Sequence, residues 1–220
     1  MATYALIHGA GDSAFYWHLL EPELRARGQE AIAMDLPCED DRAGFPDYAD
    51  AVVAAVAGRE GPDLILVAQS LGGFTAPLVC ARVAVGLLVL VAGMVPAPGE
   101  CGDDWPANTG YPGPDGEGET EIFYEDVPEL VAAEAMKRGR HQADAPGAEP
   151  WPLEAWPEVP TRYLLCGRDR MFPPDWLRGV VRARLGIEPD EIDSGHCPAL
   201  SQPRQLAERL EAYRRELDLS

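Results

Sequence analysis

The chain has 220 residues, 46% of them hydrophobic, and this length is typical of one folded domain with a sizeable core. Its 37 acidic and 18 basic residues give a net charge of −19, which disfavours nucleic acids and anionic membranes as partners, because both bind basic surfaces. No apolar run approaches the ~20 residues that a membrane-spanning helix needs.

The first 93 residues alternate short apolar runs with segments of helical periodicity. The apolar runs predict strands at 4–7, 31–34, 64–67 and 87–91. The periodic segments predict helices at 17–27, 48–56 and 74–83. This alternation indicates βαβ units and therefore an α/β fold, with a mostly parallel sheet and helices on both of its faces.

Residues 94–160 interrupt the alternation. This segment holds 11 of the 21 prolines and three of the five tryptophans, and only 129–138 is clearly helical in pattern. A long irregular insertion in an α/β chain is typical of a lid or binding loop. We therefore predict an α/β core at 1–93 and 161–220, with a cap at 94–160. Within the second part of the core, the pattern predicts strands at 163–166 and 187–192 and helices at 174–185 and 206–217.

The strongest motif lies between the third predicted strand and the third predicted helix, where Ser70 is flanked by Ala68 and Gly72. It resembles the nucleophile elbow of α/β-hydrolases, in which small residues stand two positions before and two after a serine on a sharp turn. The family has glycine where this chain has Ala68. The helix N-terminus would place the backbone N–H of Leu71 beside the serine, where it could stabilise an oxyanion.

A serine nucleophile needs a base, and the chain has four histidines. His141 lies in the insertion, and His8 and His18 precede the serine, whereas His196 follows the last predicted strand. In α/β-hydrolases the order along the chain is serine, acid, histidine, which His196 satisfies.

The acid of this order is predicted to be Asp169, which follows the strand at 163–166. Asp193 is the rival, but it lies only three residues from His196 and is poorly placed to reach the far ring nitrogen.

The loop after the first strand contains His8, Gly9, Ala10 and Gly11 and resembles the family's His-Gly oxyanion segment. The backbone N–H of Ala10 is therefore the second predicted oxyanion donor, and His8 a structural member of the loop. Together these four parts resemble the α/β-hydrolase superfamily over the whole chain except the insertion.

Within that superfamily the chain is similar to small serine esterases related to plant methyl-ester hydrolases and hydroxynitrile lyases. The lyases typically carry threonine and lysine where this chain has Gly9 and Cys197, which favours ester hydrolysis. The resemblance implies a cofactor-independent serine hydrolase that cleaves a small apolar carboxylic ester through an acyl-enzyme. It also leaves a lyase or carbon–carbon hydrolase of the same superfamily as an alternative.

The predicted substrate pocket is apolar. Its expected lining residues are Gly9, Gln69, Met171, Phe172 and Trp105, with packing inside the cap as the alternative role of the tryptophan. We expect a small-molecule ester as partner, no nucleic acid, membrane, metal or cofactor, and a monomer or homodimer. The N-terminus lacks the pattern of a signal peptide and the five cysteines lack metal-ligand spacing, so we expect a cytoplasmic protein.

Two further alternatives belong to other classes. The run from Gly9 to Ala14 matches the dinucleotide pattern G-x-G-x-x-A, and Asp35 ends the next strand, as an NAD-binding Rossmann protein would require. This interpretation leaves Ser70, Asp169 and His196 without a role. The second alternative is a catalytically weak ligand-binding protein on a hydrolase fold.

Overall fold

The computed structural model describes residues 1–219, which form one six-stranded sheet with helices on both faces. The strands are β1 (Thr3–Ile7), β2 (Glu30–Ala33), β3 (Gly61–Gln69), β4 (Val85–Val91), β5 (Thr161–Cys166) and β6 (Asp190–Ile192). Their order is β2-β1-β3-β4-β5-β6, and every neighbouring pair is parallel. The predicted α/β-hydrolase fold class is confirmed.

Ten α-helices and two 3₁₀ turns accompany the strands among the described residues. The helices are α1 (Leu20–Ala26), α2 (Phe45–Ala55), α3 (Gly72–Cys80), α4 (Trp105–Thr109), α5 (Glu119–Phe123), α6 (Glu129–Arg138), α7 (Ala145–Ala148), α8 (Pro174–Leu185), α9 (Pro198–Ser201) and α10 (Pro203–Glu216). The 3₁₀ turns are Ala14–Trp17 and Gly102–Asp104.

The core has two layers, one on each face of the sheet. Alternate strand residues point to opposite faces, so Ile7 and Leu66 join one buried cluster while Leu6 and Val67 join the other. Helices α2, α3 and α8 cover the first cluster, and α1 and α10 cover the second. This two-sided burial explains why the strands are continuously apolar in the sequence.

Prolines account for two differences between predicted and observed elements. The predicted helix at 17–27 is a 3₁₀ turn followed by α1, because Pro22 lacks an N–H and is tolerated only in the first turn of a helix. The predicted strand at 187–192 shortens to β6, which begins directly after Pro189 for the same reason. The expected starts of both elements are therefore wrong.

Segment 94–160 contains α4 to α7, and α6 coincides with the helix predicted at 129–138. Backbone and side-chain hydrogen bonds tie the segment to the rest of the chain, and the Ala143 N–H donates to the Cys38 carbonyl at 2.8 Å. Trp151 donates its indole N–H to the Phe74 carbonyl at 2.9 Å. Glu100 accepts from Arg184 of α8 at 2.7 Å.

Candidate active site

The carboxyl ends of the parallel strands meet at one edge of the sheet, and the chemically interesting residues follow those ends. Ser70 follows β3, Asp169 follows β5 and His196 follows β6. The loop that begins at His8 follows β1, which is the neighbour of β3. Ligands of open α/β sheets bind at this edge.

Ser70 has a φ of +50°, a left-handed conformation that is uncommon for residues other than glycine. Its carbonyl accepts the N–H groups of Gly73 (3.1 Å) and Met94 (2.9 Å), and these bonds hold the turn in place. A Cβ at Gly72 would lie 2.9 Å from the His8 carbonyl oxygen, and one at Gly73 would lie 2.0 Å from that of Met94. The turn therefore requires small residues after the serine, as a nucleophile elbow does.

His196 and Asp169 form a buried pair. The histidine Nδ1 donates to Asp169 Oδ2 at 2.8 Å, and the two side chains are 2% and 1% exposed. The other oxygen, Oδ1, accepts the backbone N–H groups of Met171 (2.8 Å) and Phe172 (2.9 Å), which fixes the carboxylate. The rival Asp193 is exposed and binds Arg168 at 2.7 Å.

The outer nitrogen of His196, Nε2, is buried and has no hydrogen-bond partner among residues 1–219. Because Nδ1 carries the proton donated to Asp169, Nε2 is left as an acceptor. His196 and Ser70 line the same cavity. The imidazole is thus held through Nδ1 and by the rings of Phe123 and Phe172, whose centroids lie 5.4 and 5.2 Å from its own, while Nε2 is left available as an acceptor.

Two contacts fix the loop that carries His196. Gln69 Nε2 donates to the His196 carbonyl at 3.3 Å. Asp126, from the insertion, accepts the Gly195 N–H at 2.8 Å. A Cβ at Gly195 would lie 2.7 Å from the other carboxylate oxygen of Asp126, so glycine is required where the two segments approach.

The loop after β1 approaches the serine closely. A Cβ at Gly9 would lie 2.4 Å from Gln69 Oε1 and 3.0 Å from Ser70 Cβ. The backbone N–H groups of Ala10 and Leu71 have no acceptor within the described part of the chain, and both residues line the cavity. Two free N–H donors beside one serine are suited to binding an oxyanion.

His8 anchors this loop. Its Nδ1 donates to the Gly9 carbonyl at 2.8 Å, and its Nε2 accepts the Leu36 N–H at 3.0 Å. Burial lowers the pKa of His8 to about 4. The ring is thus neutral at pH 7 and has both nitrogens engaged, which leaves it no role as a base.

The cavity has a volume of about 210 Å³. The predicted substrate-binding residues Gly9, Gln69, Met171 and Phe172 line it. The lining that sequence reasoning missed includes Asp12, Met94, Glu119, Phe123, Tyr124 and Ala135. Asp12 could have been found, because it follows the oxyanion loop directly, but the insertion residues carry no local signal of their position.

Trp105 does not line this cavity, and its predicted contact with substrate is wrong. The side chain is fully buried, and its indole N–H donates to the Val95 carbonyl at 2.9 Å. Its ring packs against Phe172 and Trp176, with centroids 5.6 and 5.5 Å apart. The residue is part of the packing behind the cavity wall, because an indole that has found both an apolar site and an acceptor gains nothing by facing solvent.

The dinucleotide-binding interpretation does not fit the geometry. A pyrophosphate site needs a helix that begins at the glycine loop, whereas a 3₁₀ turn follows Gly11 and α1 begins only at Leu20. The carboxylate of Asp35 accepts the Ala14 N–H at 2.7 Å.

Within residues 1–219 there is no group of three or more His, Cys, Asp or Glu side chains suited to a metal ion. No helix in that range is long and apolar enough to cross a membrane.

Several known proteins that this chain resembles are named as esterases or hydrolases. The chain is 23% identical to polyneuridine aldehyde esterase of Rauvolfia serpentina, covering 94% of this chain and 93% of the relative. It is 22% identical to methylesterase 3 of Arabidopsis thaliana, covering 91% of each. The solved structure of a pyrethroid hydrolase from Sphingobium faniae matches with a TM-score of 0.76 at 21% identity, covering 97% of both chains. The resemblance to plant methyl-ester hydrolases is confirmed, and an esterase-type hydrolase is the enzyme class that these relatives support.

The family model described as "Alpha/beta hydrolase family" matches residues 5–209, which include most of β1, the whole of strands β2 to β6 and every site residue described above. With this match over nearly its whole length, the chain belongs to the α/β-hydrolase family.

Proposed function

We propose that this protein is a cofactor-independent serine esterase in which Ser70, His196 and Asp169 form the catalytic triad. The observation that carries the proposal is the state of His196, whose Nδ1 donates to Asp169 while its Nε2 is unpartnered in the cavity of Ser70. A serine hydroxyl becomes an effective nucleophile only beside such an acceptor.

The proposed reaction has two steps. Ser70 Oγ attacks the ester carbonyl as His196 Nε2 takes its proton, and the N–H groups of Ala10 and Leu71 bind the oxyanion. The protonated imidazole then gives the proton to the leaving alcohol, which produces an acyl-enzyme. Water activated by the same nitrogen attacks that ester, releases the acid and returns the proton to Ser70. Asp169 keeps the ring in the required tautomer and stabilises the imidazolium.

The cavity supports a small ester as substrate. Its volume of about 210 Å³ is below the ~300 Å³ at which typical ligand pockets begin. Apolar side chains of Leu71, Met94, Met171 and Phe172 line it. The net charge of −19 further disfavours polyanionic acyl donors.

The test is hydrolysis of p-nitrophenyl esters from acetyl to octanoyl by the wild type and by Ser70→Ala. We expect turnover that is fastest for short acyl chains, and a loss of about 10⁴-fold or more in Ser70→Ala. Ser201→Ala is the matched control, since its hydroxyl is buried without a partner outside the cavity, and it should retain activity.

Labelling of Ser70 by a serine-reactive phosphonate tests the nucleophile without turnover. If the phosphonate labels Ser70 but no ester is hydrolysed, the protein is the weak ligand-binding relative or acts on another bond, such as a carbon–carbon bond. Failure of both assays contradicts the proposed triad.

A further inference from the structure

The cavity beside Ser70 has an unbalanced charge. Two carboxylic acids, Asp12 and Glu119, line it, whereas no lysine or arginine does among the described residues. His196, which is 2% exposed and has an unpartnered nitrogen, faces the same space. A ligand held between His196 and the oxyanion loop therefore comes close to the carboxylate of Asp12.

The Asp12 carboxylate is only half satisfied by the protein. Oδ1 accepts the Ser13 N–H at 2.8 Å, and Oδ2 accepts no hydrogen bond from residues 1–219. The guanidinium of Arg140 binds Glu39 at 3.0 Å, the Leu36 carbonyl at 3.0 Å and the backbone carbonyl of Asp12 at 3.5 Å, but it does not bind the Asp12 carboxylate. The charge of Asp12 has no side-chain counter-ion in hydrogen-bond contact.

The electrostatics of Asp12 agree with this geometry. Burial, with a smaller contribution from the charge of Asp35, raises the pKa of Asp12 to about 6 against the opposing effects of the Ser13 N–H and the charge of Arg140. The surroundings of Asp12 therefore stabilise its ionised carboxylate poorly. A cation in the cavity would stabilise the ionised carboxylate, and this interaction would increase the affinity for a cationic ligand.

Aromatic rings complete the surroundings. Phe123, Tyr124 and Phe172 line the cavity together with Asp12. The charge of Asp12 adds to burial in raising the pKa of Tyr124, so the two side chains are close enough to interact. Ring faces beside a carboxylate attract alkylammonium groups, whereas an anion would be repelled by Asp12 and Glu119.

We propose that the preferred substrate is a small ester bearing one cationic alkylammonium group, bound by the Asp12 carboxylate against the rings of Phe123 and Tyr124. This inference rests on the proposed esterase function and adds a positive charge to its substrate class. The charge of the whole chain favours the same choice, because a net charge of −19 attracts cations to the site.

The test compares substrates of equal shape that differ only in charge. Acetylcholine and its uncharged isostere, neohexyl acetate, differ in the charge of the alcohol part. The p-nitrophenyl esters of a trimethylammonio acid and of its tert-butyl isostere carry it in the acyl part. In at least one pair, we expect kcat/KM to favour the cationic ester by about tenfold or more, and Asp12→Asn to reduce this ratio to near one. Asp41→Asn removes the same charge from the exposed surface and should leave the ratio unchanged.

Binding to Ser70→Ala separates this inference from the esterase proposal, because that variant binds without turnover. Calorimetry should give a tighter Kd for the cationic ester than for its isostere, and adding Asp12→Asn should remove the difference. Equal affinities in both pairs, or a difference that survives Asp12→Asn, would overturn the inference even if the neutral esters are hydrolysed. A difference that depends on Asp12, without any hydrolysis by the wild type, would support the cation site while contradicting the esterase.

The pH profile supplies an independent readout. The ratio of cationic to neutral kcat/KM should fall as pH decreases through about 6, because protonated Asp12 carries no charge. A ratio that stays constant between pH 5 and 8 would contradict the role of Asp12.

Discussion

The sheet core and the insertion at 94–160 contribute to the same cavity by different means. The core supplies Ser70, Asp169 and His196 from strand ends, where continuous backbone pairing sets their positions. The insertion supplies Phe123, Tyr124 and Ala135, and it is held to the core by side-chain bonds and by backbone bonds such as that from the Ala143 N–H to the Cys38 carbonyl. The core is therefore expected to control the rate of the chemical step, whereas substrate binding depends on the insertion together with core residues such as Asp12 and Met171.

A hydrogen bond between the insertion and the histidine loop links the two contributions. Asp126 of the insertion binds the Gly195 N–H, one residue before His196, and its side chain is only 6% exposed. The insertion thus reaches the base of the proposed triad through the backbone of the histidine loop. Substitutions in each region, and at this contact, can separate the two contributions.

The largest effect is expected for Asp169→Asn in the core. Asparagine can still accept the N–H groups of Met171 and Phe172, but its amide favours the wrong tautomer of His196. We expect kcat on a p-nitrophenyl ester to fall by about 10⁴-fold with little change in KM. Asp193→Asn is the control and should lose less than about twofold. A tenfold loss or less in Asp169→Asn would remove Asp169 from the triad.

The second largest effect is expected on the pH dependence of the free energy of unfolding, through His8 and Asp12 in the loop after β1. Burial lowers the pKa of His8 from its ordinary value of 6.5 to about 4 in the folded protein. The contribution of His8 to the stability of the folded state is therefore present above pH 6.5 and is lost as pH falls towards 4. The full loss is about 3 kcal/mol. Asp12 acts in the opposite sense, because its folded pKa is raised from 3.8 to about 6 and acidification across that range favours the folded state.

Denaturant unfolding between pH 4 and 7 tests whether acidification destabilises the folded state through His8 and stabilises it through Asp12. His8→Asn should make the acid loss of stability shallower, and Asp12→Asn should make it steeper. Identical slopes in the two variants would contradict the assigned directions. Both slopes should also respond to Arg140→Gln in the insertion, because the charge of Arg140 lowers the pKa of His8 and of Asp12.

A smaller effect is expected at Asp126, where the insertion touches the histidine loop. Asp126→Ala leaves the Gly195 N–H without its acceptor, and an unsatisfied buried donor costs about 1–3 kcal/mol. We expect part of this cost to reduce kcat by about tenfold at nearly constant KM. Asp126→Asn keeps an acceptor oxygen and should restore most of the rate. A change confined to KM would assign Asp126 to substrate binding instead of to the position of His196.

The same division explains what could be predicted from the sequence. Strand and helix patterns in the core are local, so the β3–α3 turn around Ser70 was predicted directly, as were the loops that carry Asp169 and His196. Element ends were less predictable where a cap decides them. Helix α2 begins at Phe45, three residues before the predicted start, and the Gly44 N–H donates to Asp47 at 2.8 Å at that end.

The insertion was predictable in its helix α6 and not in its contacts. Phe123 and Tyr124 reach the cavity through the path of the chain between α5 and α6, and no periodicity encodes that path. A tryptophan in a cap was expected to face substrate, because its size suits an apolar pocket. Its N–H can equally be satisfied by a carbonyl in the interior, and sequence alone does not distinguish the two.

The smallest predicted effect tests that distinction at Trp105. Trp105→Phe removes the indole N–H bonded to the Val95 carbonyl, which retains a bond from Arg184. Stability should therefore fall by about 1 kcal/mol, while KM and kcat stay within about twofold. Met171→Ala, which alters a residue that lines the cavity, should instead change KM with little loss of stability. If Trp105→Phe changed KM as much as Met171→Ala does, the indole would act on substrate, and the assignment of Trp105 to packing behind the cavity wall would be wrong.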